Sequence, residues 1–361
     1  MRGMVSLPTS RPLQVCLPAE LRAVSFSFLR WNPLAGNRSA PCARSHLNKT
    51  SGWPYRRPPG GVFTLPKTLR LRSFAKINHG LKILRKRPDG YHELRTIYQT
   101  IGLHDRLEIS LSRAGKGIDV DCDNPAIPAG LGNLVYRTCE AWAKARGWSG
   151  RVQVKIAKSI PLGSGLGGAS TNAATTILGL ERLSGDRLDS VARQELAARL
   201  GSDVPLFLLG GRVLGCGRGE EVYPLVDLPT RHCLVIFPGF SISTAEAYRE
   251  AGLRLTDQAR SDYTSCFGAW PHFPLMSWGP AENDFEYVAF TRWPELAELK
   301  RQLIRAGAEV ASLTGSGSAV YALFSSSRQL SRASKLIPKG WLKYSTRTLV
   351  RAEYHQELYE Q

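Results

Sequence analysis

From Thr68 onward the chain switches repeatedly between two hydrophobic periods. Leu69-Arg-Leu-Arg-Ser-Phe-Ala-Lys-Ile-Asn78 alternates and runs on to Leu84, which predicts a strand. Arg85-Lys-Arg-Pro-Asp-Gly90 is a turn, since proline fixes φ and glycine supplies the left-handed residue. Tyr91 to Leu103 leaves that turn, and Arg106–Leu111 and Gly117–Cys122 predict two more strands. Asn133 to Ala145 reads as a helix closed near Gly147, Arg151–Lys158 as a strand, and Ala173–Leu183 and Ser190–Leu200 as helices, the latter with Gly201 as a left-handed stop. Next come a short apolar turn (Ser202–Phe207), a glycine-bearing strand pair (Arg212–Tyr223) and a buried-type strand (His232–Phe237). The remainder predicts a helix over Thr244–Leu253, an aromatic and proline-rich loop over Ser261–Pro280, and a helix over Pro294–Ala306 closed by Gly307. A strand (Ser318–Phe324), a helix (Arg328–Leu336) and a last strand (Ser345–Tyr354) complete it.

This mixture without repeats predicts two α+β domains, 68–228 and 229–361, with the break near Asp227–Arg231. Residues 1–67 differ: prolines interrupt them, arginine and serine are frequent, and no period holds, which predicts a disordered basic extension. Arg11, Pro8 and Pro12 break any secretory apolar core. An organelle transit peptide fits the basic composition but lacks an amphipathic helix, so a nonfunctional extension is favoured.

The net charge of +18 changes meaning once it is located. Ten Arg and Lys stand against Glu20 alone up to Lys67, leaving +9 for the rest of the chain. That suits a polyanionic small molecule and does not demand nucleic acid, although a non-enzymatic nucleotide- or nucleic-acid-binding protein stays open. The longest apolar runs, such as Leu206–Leu209, are too short for a membrane span. Seven widely spaced cysteines give neither a disulfide framework nor a zinc motif, which points to a reducing cytosol.

The candidate chemistry begins at Pro161-Leu-Gly-Ser-Gly-Leu-Gly-Gly-Ala-Ser-Thr-Asn-Ala-Ala174, between a strand and a helix. Free N–H groups and the positive helix end gather there, and glycine lets anion oxygens approach the backbone, so the stretch predicts a phosphate cradle. Gly163, Gly165 and Gly168 also spell the dinucleotide pattern, but a helix follows Ser184-Gly-Asp186 where a Rossmann unit needs a strand. No lysine follows the glycines, so the P-loop pattern fails too. Ser170 and Thr171, in the first helical turn, can contact phosphate oxygens or a phosphate-bound Mg²⁺, or simply cap the helix. Lys76 interrupts an alternating strand and Asp203 follows a helix end beside an apolar run; they are candidates for a phosphoryl-transfer pair, or else a solvated strand residue and a helix cap.

Ala75-Lys-Ile-Asn78, the glycine loop and Leu313-Thr-Gly-Ser-Gly-Ser-Ala319, in this order, resemble the GHMP small-molecule kinases. Lys86-Arg-Pro-Asp-Gly-Tyr-His-Glu-Leu94, Gly201-Ser-Asp-Val-Pro-Leu-Phe207, Gly217-Arg-Gly-Glu-Glu221 and Asn283-Asp-Phe-Glu286 resemble the branch that phosphorylates the tertiary hydroxyl of a cytidylyl-diphosphate sugar alcohol. The resemblance implies the two-domain GHMP fold: a ribosomal-protein-S5-domain-2-like N-terminal domain and a ferredoxin-like C-terminal domain, with the site in the cleft between them. It implies ATP with Mg²⁺, no nucleic acid or membrane, and a monomer or homodimer. It implies a bacterial-type cytoplasmic enzyme, plastid import through the extension being the alternative.

Residue by residue, the resemblance makes Asp203 the base and Lys76 the group that keeps it ionised. Pro161, Leu162, Gly163, Ser164, Gly165, Leu166, Gly167, Gly168, Ala169 and Ser170 take the ATP phosphates, with Thr171 flanking them. Asn133 and Lys158 line the adenine pocket, Tyr91 and His92 the cytosine subsite, and Asn78 touches the sugar alcohol. Another family alcohol, of homoserine or mevalonate type, is the alternative substrate. The chain departs from the family at His79-Gly80 and at Ser164 and Ala169, positions that are often glycine in the loop; the Ser164 hydroxyl is expected to add a donor to the cradle, and His79, alternating away from Asn78, to pack.

Overall fold

Strand β2 (His92–Ser112) is long enough to carry β1 (Thr68–Lys86) along one edge and two strands in succession along the other. Those are β4 (Arg151–Ala157), opposite its second half, and β5 (Arg212–Cys216), opposite its first; β3 (Gly117–Cys122) adds parallel to β4, and β6 (Glu221–Pro224) antiparallel to β5. The computed structural model that shows this describes residues 68–250, 277–279 and 281–360. These belong to one compact unit. The expected extension over 1–67, most of the 261–280 loop and the end of the 244–253 helix lie outside the described residues; residues 244–250 are helical.

Helices α1 (Leu134–Arg146), α2 (Gly168–Ser184), α3 (Ser190–Leu200) and α4 (Val204–Leu209) belong to the same half of the chain. β4 alternates buried and exposed, so Val152, Val154 and Ile156 share one face. That face joins Leu71, Leu107 and Ile109 in a core with Trp142, Ile177, Leu180 and Leu196 of the helices. A second, antiparallel sheet runs β10 (Leu342–Arg347), β7 (His232–Phe237), β9 (Val320–Phe324), β8 (Val310–Leu313). β7 is buried on both sides, which explains its unbroken apolar run. Leu234 and Ile236 meet Leu296, Leu299 and Leu303 of the helix Pro294–Arg305, whereas Cys233 and Val235 meet Ile77 and Ile101 of the first sheet.

Several expectations need correction. Tyr91–Leu103 and Arg106–Leu111 are one strand, not two, because Asp105 continues the ladder opposite Ser73. Gly201 is extended, at φ 172°, rather than left-handed, and Ser202–Phe207 is no plain turn but leads into α4, with Pro205 in its first turn. The final strand ends at Arg347; Arg351–Glu357 is a helix that docks through Tyr354, whose hydroxyl donates to Phe207 O at 2.6 Å. The helix Phe285–Arg292 and strand β8 were not expected. The strand that should exclude a Rossmann unit by its absence is indeed missing: α3 follows α2 directly. No helix among the described residues is long and apolar enough to cross a membrane.

His79 behaves as its alternation implies. Its Nε2 lies 3.0 Å from Gly279 O and its ring packs on Trp278 with centroids 5.1 Å apart. Burial lowers its pKa to about 4; the Gly279 carbonyl opposes the shift and the Arg212 charge adds to it. The unfolded chain takes up this proton near pH 6.5 and the folded chain does not until about pH 4. The associated stability is therefore complete above pH 6.5 and falls by about 3 kcal/mol as pH drops through that window. His79→Gln is expected to flatten this part of the acid dependence in urea titrations at pH 7 and 4.5. An acid loss identical to that of the wild type would refute the assignment.

Candidate active site

The glycine stretch connects β4 to α2 and forms one wall of a cleft of about 320 Å³, also lined by Lys76, Asn78, Tyr98, Asp203, Gly315 and Ser316. α2 starts at Gly168 with Gly167 at the N-cap position, so no side chain caps the first-turn N–H groups. Those donors and the helix dipole make the wall fit a phosphate chain. Gly165 shows why the loop is built of glycine: a Cβ there would lie 2.1 Å from Thr314 O, on a backbone at φ +81°. The loop is thereby seated against the Thr314–Gly317 turn, with Thr314 Oγ1 donating to Gly165 O at 3.2 Å and Ala319 N to Ser164 O at 3.2 Å. Ser164 lines the cleft, and its hydroxyl donates to Pro161 O at 2.7 Å, which stitches the loop. Ser170 lines the cleft, whereas Thr171 is buried and accepts from Ser73 Oγ at 3.2 Å.

Lys76 reaches this wall because β1 loses register around it. The pairing shifts between Phe74 and Lys76 and again between Asn78 and Leu81, and such bulges re-aim side chains. The Lys76 N–H bonds to Leu166 O of the glycine loop at 3.0 Å. Its ammonium is not solvated, as a bare strand reading implied, but buried, 2.7 Å from Asn78 Oδ1 and 3.5 Å from Asp203 Oδ2. Burial lowers the Lys76 pKa, and the Asp203 carboxylate opposes that shift. Asp203 occupies the N-cap position of α4 without a side-chain capping bond, which leaves its carboxylate for Lys76 and for Tyr98 Oη, 3.0 Å from Oδ1.

Asn78 ties the two sheets together. Its Oδ1 also accepts from Gly315 N at 2.8 Å and its Nδ2 donates to Thr96 Oγ1 at 2.7 Å. Asn283 braces the same turn from the other side, donating to Leu313 O and Gly315 O, both at 2.9 Å.

Lys158 lines the cleft and forms an ion pair with Asp105, a residue not singled out from the sequence. Asp105 is fully buried and also accepts from Ser159 N and Ile160 N at 2.8 Å and from Asn172 Nδ2 at 2.9 Å. It anchors the segment entering the glycine loop and the start of α2 together. Asn133 caps α1 through Val135 N at 2.9 Å and does not line the cleft. Tyr91 and His92 are also outside its lining, but each touches a residue within it. The Arg218 guanidinium lies 4.7 Å from the Tyr91 ring centre, and His92 stacks on Tyr248 at 5.0 Å and 11°. Burial, then Lys86, lowers the His92 pKa, and its buried Nε2 has no hydrogen-bond partner among the described residues.

A glycine-walled helix N-terminus facing a buried lysine beside a carboxylate defines the class as a small-molecule phosphotransferase. Comparison with known families agrees. Residues 133–211 match the GHMP kinases N terminal domain and residues 277–339 the GHMP kinases C terminal domain. The chain belongs to the GHMP kinase family. More particularly, it is 43% identical over 274 residues to 4-diphosphocytidyl-2-C-methyl-D-erythritol kinase of Solibacter usitatus (strain Ellin6076), covering 74% of this chain and 84% of that protein. It is 37% identical to the protein of the same name from Citrifermentans bemidjiense, across 78% of this chain and 100% of the relative. A crystal structure of 4-(cytidine 5'-diphospho)-2C-methyl-D-erythritol kinase superposes with a TM-score of 0.61 at 30% identity, covering 78% of this chain and 99% of that one. Homoserine kinase from Cytophaga hutchinsonii shares the fold, with a TM-score of 0.60 at 18% identity over 81% of this chain and 98% of that one.

Proposed function

We propose that the chain transfers the γ-phosphoryl group of ATP to the 2-position hydroxyl of 4-diphosphocytidyl-2-C-methyl-D-erythritol, in the non-mevalonate route to isoprenoid precursors. The observation that carries this is the Lys76–Asp203 pair beside the glycine wall, with the Tyr248 and Arg218 contacts of His92 and Tyr91 at the same cleft. Asp203 accepts the hydroxyl proton, the freed oxygen bonds to Pγ, and the bond from Pγ to the β,γ-bridging oxygen breaks, releasing ADP. Lys76 and the first-turn N–H groups of α2 offset the charge spread over the γ-phosphoryl oxygens. Catalysis is therefore mainly placement and electrostatics.

No group of three or more His, Cys, Asp or Glu side chains gathers as a metal site among the described residues. Mg²⁺ would be held by phosphate and water oxygens, with Ser170 as the protein hydroxyl lining the cleft at the start of α2. Bound there, it would neutralise phosphate charge. Lys158 faces the nucleotide, and Tyr91 and His92 hold the cytosine by stacking and by hydrogen bonding to its polar edge. Residues 68–228 would form the nucleotide-binding domain and 229–361 the C-terminal domain. The working form would be a monomer or a homodimer. The four described cysteines are free, in keeping with a cytoplasmic setting.

A coupled ADP-release assay tests the reading. ADP is expected with the diphosphocytidyl alcohol and not with homoserine or mevalonate; equal turnover of either alternative overturns the substrate assignment. Replacing Tyr91 and His92 together by alanine is expected to raise KM for the cytidylyl substrate about tenfold or more, the scale of a lost stack plus a hydrogen bond, with KM for ATP unchanged.

A further inference from the structure

The shortest contact on the Asp203 carboxylate among the described residues comes not from Lys76 but from Tyr98. Lys76 Nζ spends its close hydrogen bond, 2.7 Å, on Asn78 and stands 3.5 Å from Asp203 Oδ2. An ion pair at that separation supplies charge but little direction. The Tyr98 hydroxyl, 3.0 Å from Oδ1, supplies the direction. Asp203 has no capping bond to hold it, and its side chain is 31% exposed, so without this tether the carboxylate would be free to rotate.

Tyr98 itself is held by features that the proposed chemistry leaves unused. It lies in the middle of β2, opposite Asn78 on one side and Val213 on the other, and is almost fully buried. Its ring fits against the β5–β6 hairpin because that hairpin carries glycine at two places. A Cβ on Gly215 would lie 2.5 Å from Tyr98 Cε2, and one on Gly219 would lie 2.4 Å from the hydroxyl oxygen. The hairpin is fixed to β2 by Leu94 N donating to Gly217 O at 2.8 Å, and Gly219 N closes the turn on Cys216 O at 2.9 Å. The Gly217-Arg-Gly-Glu-Glu221 motif thus belongs to a glycine-lined seat for one aromatic ring. Burial first, then the Asp203 charge, raises the Tyr98 pKa well above its ordinary value, and the phenol stays a donor.

We propose that Tyr98 is a positioning residue for phosphoryl transfer: its hydroxyl, seated by Gly215 and Gly219, pins Asp203 Oδ1 and presents Oδ2, the oxygen beside Lys76, to the acceptor hydroxyl. This rests on the kinase reading above. In the step, the acceptor O–H proton passes to Asp203 Oδ2, the acceptor oxygen bonds to Pγ, and ADP leaves with the electron pair of the broken P–O bond. The tyrosine proton stays on Tyr98 throughout.

Tyr98→Phe keeps the ring and removes only the tether. Its kcat is expected to fall about ten- to a hundredfold, the scale of a hydrogen bond to a charged group. KM for the alcohol, Kd for ATP and Tm are expected to stay near wild type, a split that loss of packing would not produce. Gly215→Ala, which pushes the ring aside without touching a left-handed backbone, is expected to lower kcat similarly but to add nothing in the Tyr98→Phe background. The effect is read as a ratio to wild type with whichever family alcohol wild type phosphorylates. A wrong substrate assignment therefore shows as wild type inert toward the diphosphocytidyl alcohol and leaves the ratio measurable. Wild-type kcat in Tyr98→Phe overturns the proposal, as do independent, multiplying losses from the two substitutions. If Gly215→Ala does not fold, Tyr98→Phe alone decides.

Discussion

Asp203→Asn is expected to lower kcat by about 10²- to 10⁴-fold, the range for removing a general base, while Kd for ATP stays unchanged. Asparagine keeps the shape of the side chain, and its Oδ1 can still accept from Tyr98, so the change is one of charge and basicity. The amide cannot take the hydroxyl proton. It also withdraws the anion that opposes the desolvation of Lys76, whose ammonium is already harder to keep charged than an ordinary lysine's. Two contributions to the transition state thus weaken together. The first-turn donors of α2 are untouched, which is why nucleotide binding survives. Single-turnover kinetics with calorimetry for ATP separates the two quantities. A variant within about threefold of wild-type kcat would remove Asp203 from the role of base.

Asp105→Ala is expected to cost about 3–5 kcal/mol of stability, the cost of stranding one member of a buried ion pair. The Lys158 side chain is only 4% exposed and would lose its counter-charge. Ser159 N, Ile160 N and Asn172 Nδ2 would lose their acceptor at the same time. Asp105→Asn retains an acceptor and should lose less. Urea unfolding of the three proteins at pH 7 checks both the size and the order. A loss below about 1 kcal/mol in Asp105→Ala would mean that water replaces the carboxylate and that the anchor is weak.

The site was legible where a residue's chemistry clashed with its local pattern. A lysine inside an apolar alternation and a glycine cluster between a strand and a helix both ask for an explanation that secondary structure does not supply. Tyr98, Asp105 and Asn283 raise no such conflict. A tyrosine suits a strand, an aspartate reads as the end of one, and Asn283 looks like a turn residue; what they do depends on partners 105, 53 and 30 positions away. Asn133 and Ser164 show the converse. Both sit at positions where the family resemblance implies a ligand contact, and the structure adds a local bond for each, with a neighbour two or three residues off, that the sequence did not announce. In the fold, β4 and β7 were clear because one-face and two-face burial write different periods. The sequence pattern splits β2 because a polar His104-Asp-Arg106 interrupts it, and tertiary partners offset those side chains: Lys158 for Asp105, Glu360 for Arg106. The strand expected over Ser345–Tyr354 runs into the helix Arg351–Glu357 because that helix's single buried residue, Tyr354, leaves too little periodicity to tell the two apart.

The hydrogen bond from Lys76 N to Leu166 O also sets what it takes to lift the glycine loop. At that point the glycine loop accepts from a backbone amide of β1, so it is tied to the sheet through the main chain. Lifting the loop means releasing a sheet amide and, through Gly165, parting from the Thr314–Gly317 turn at the same time. Opening of this wall is therefore expected to cost the release of these bonds, as a local unfolding event does, and slow hydrogen exchange at the Lys76 amide would report it.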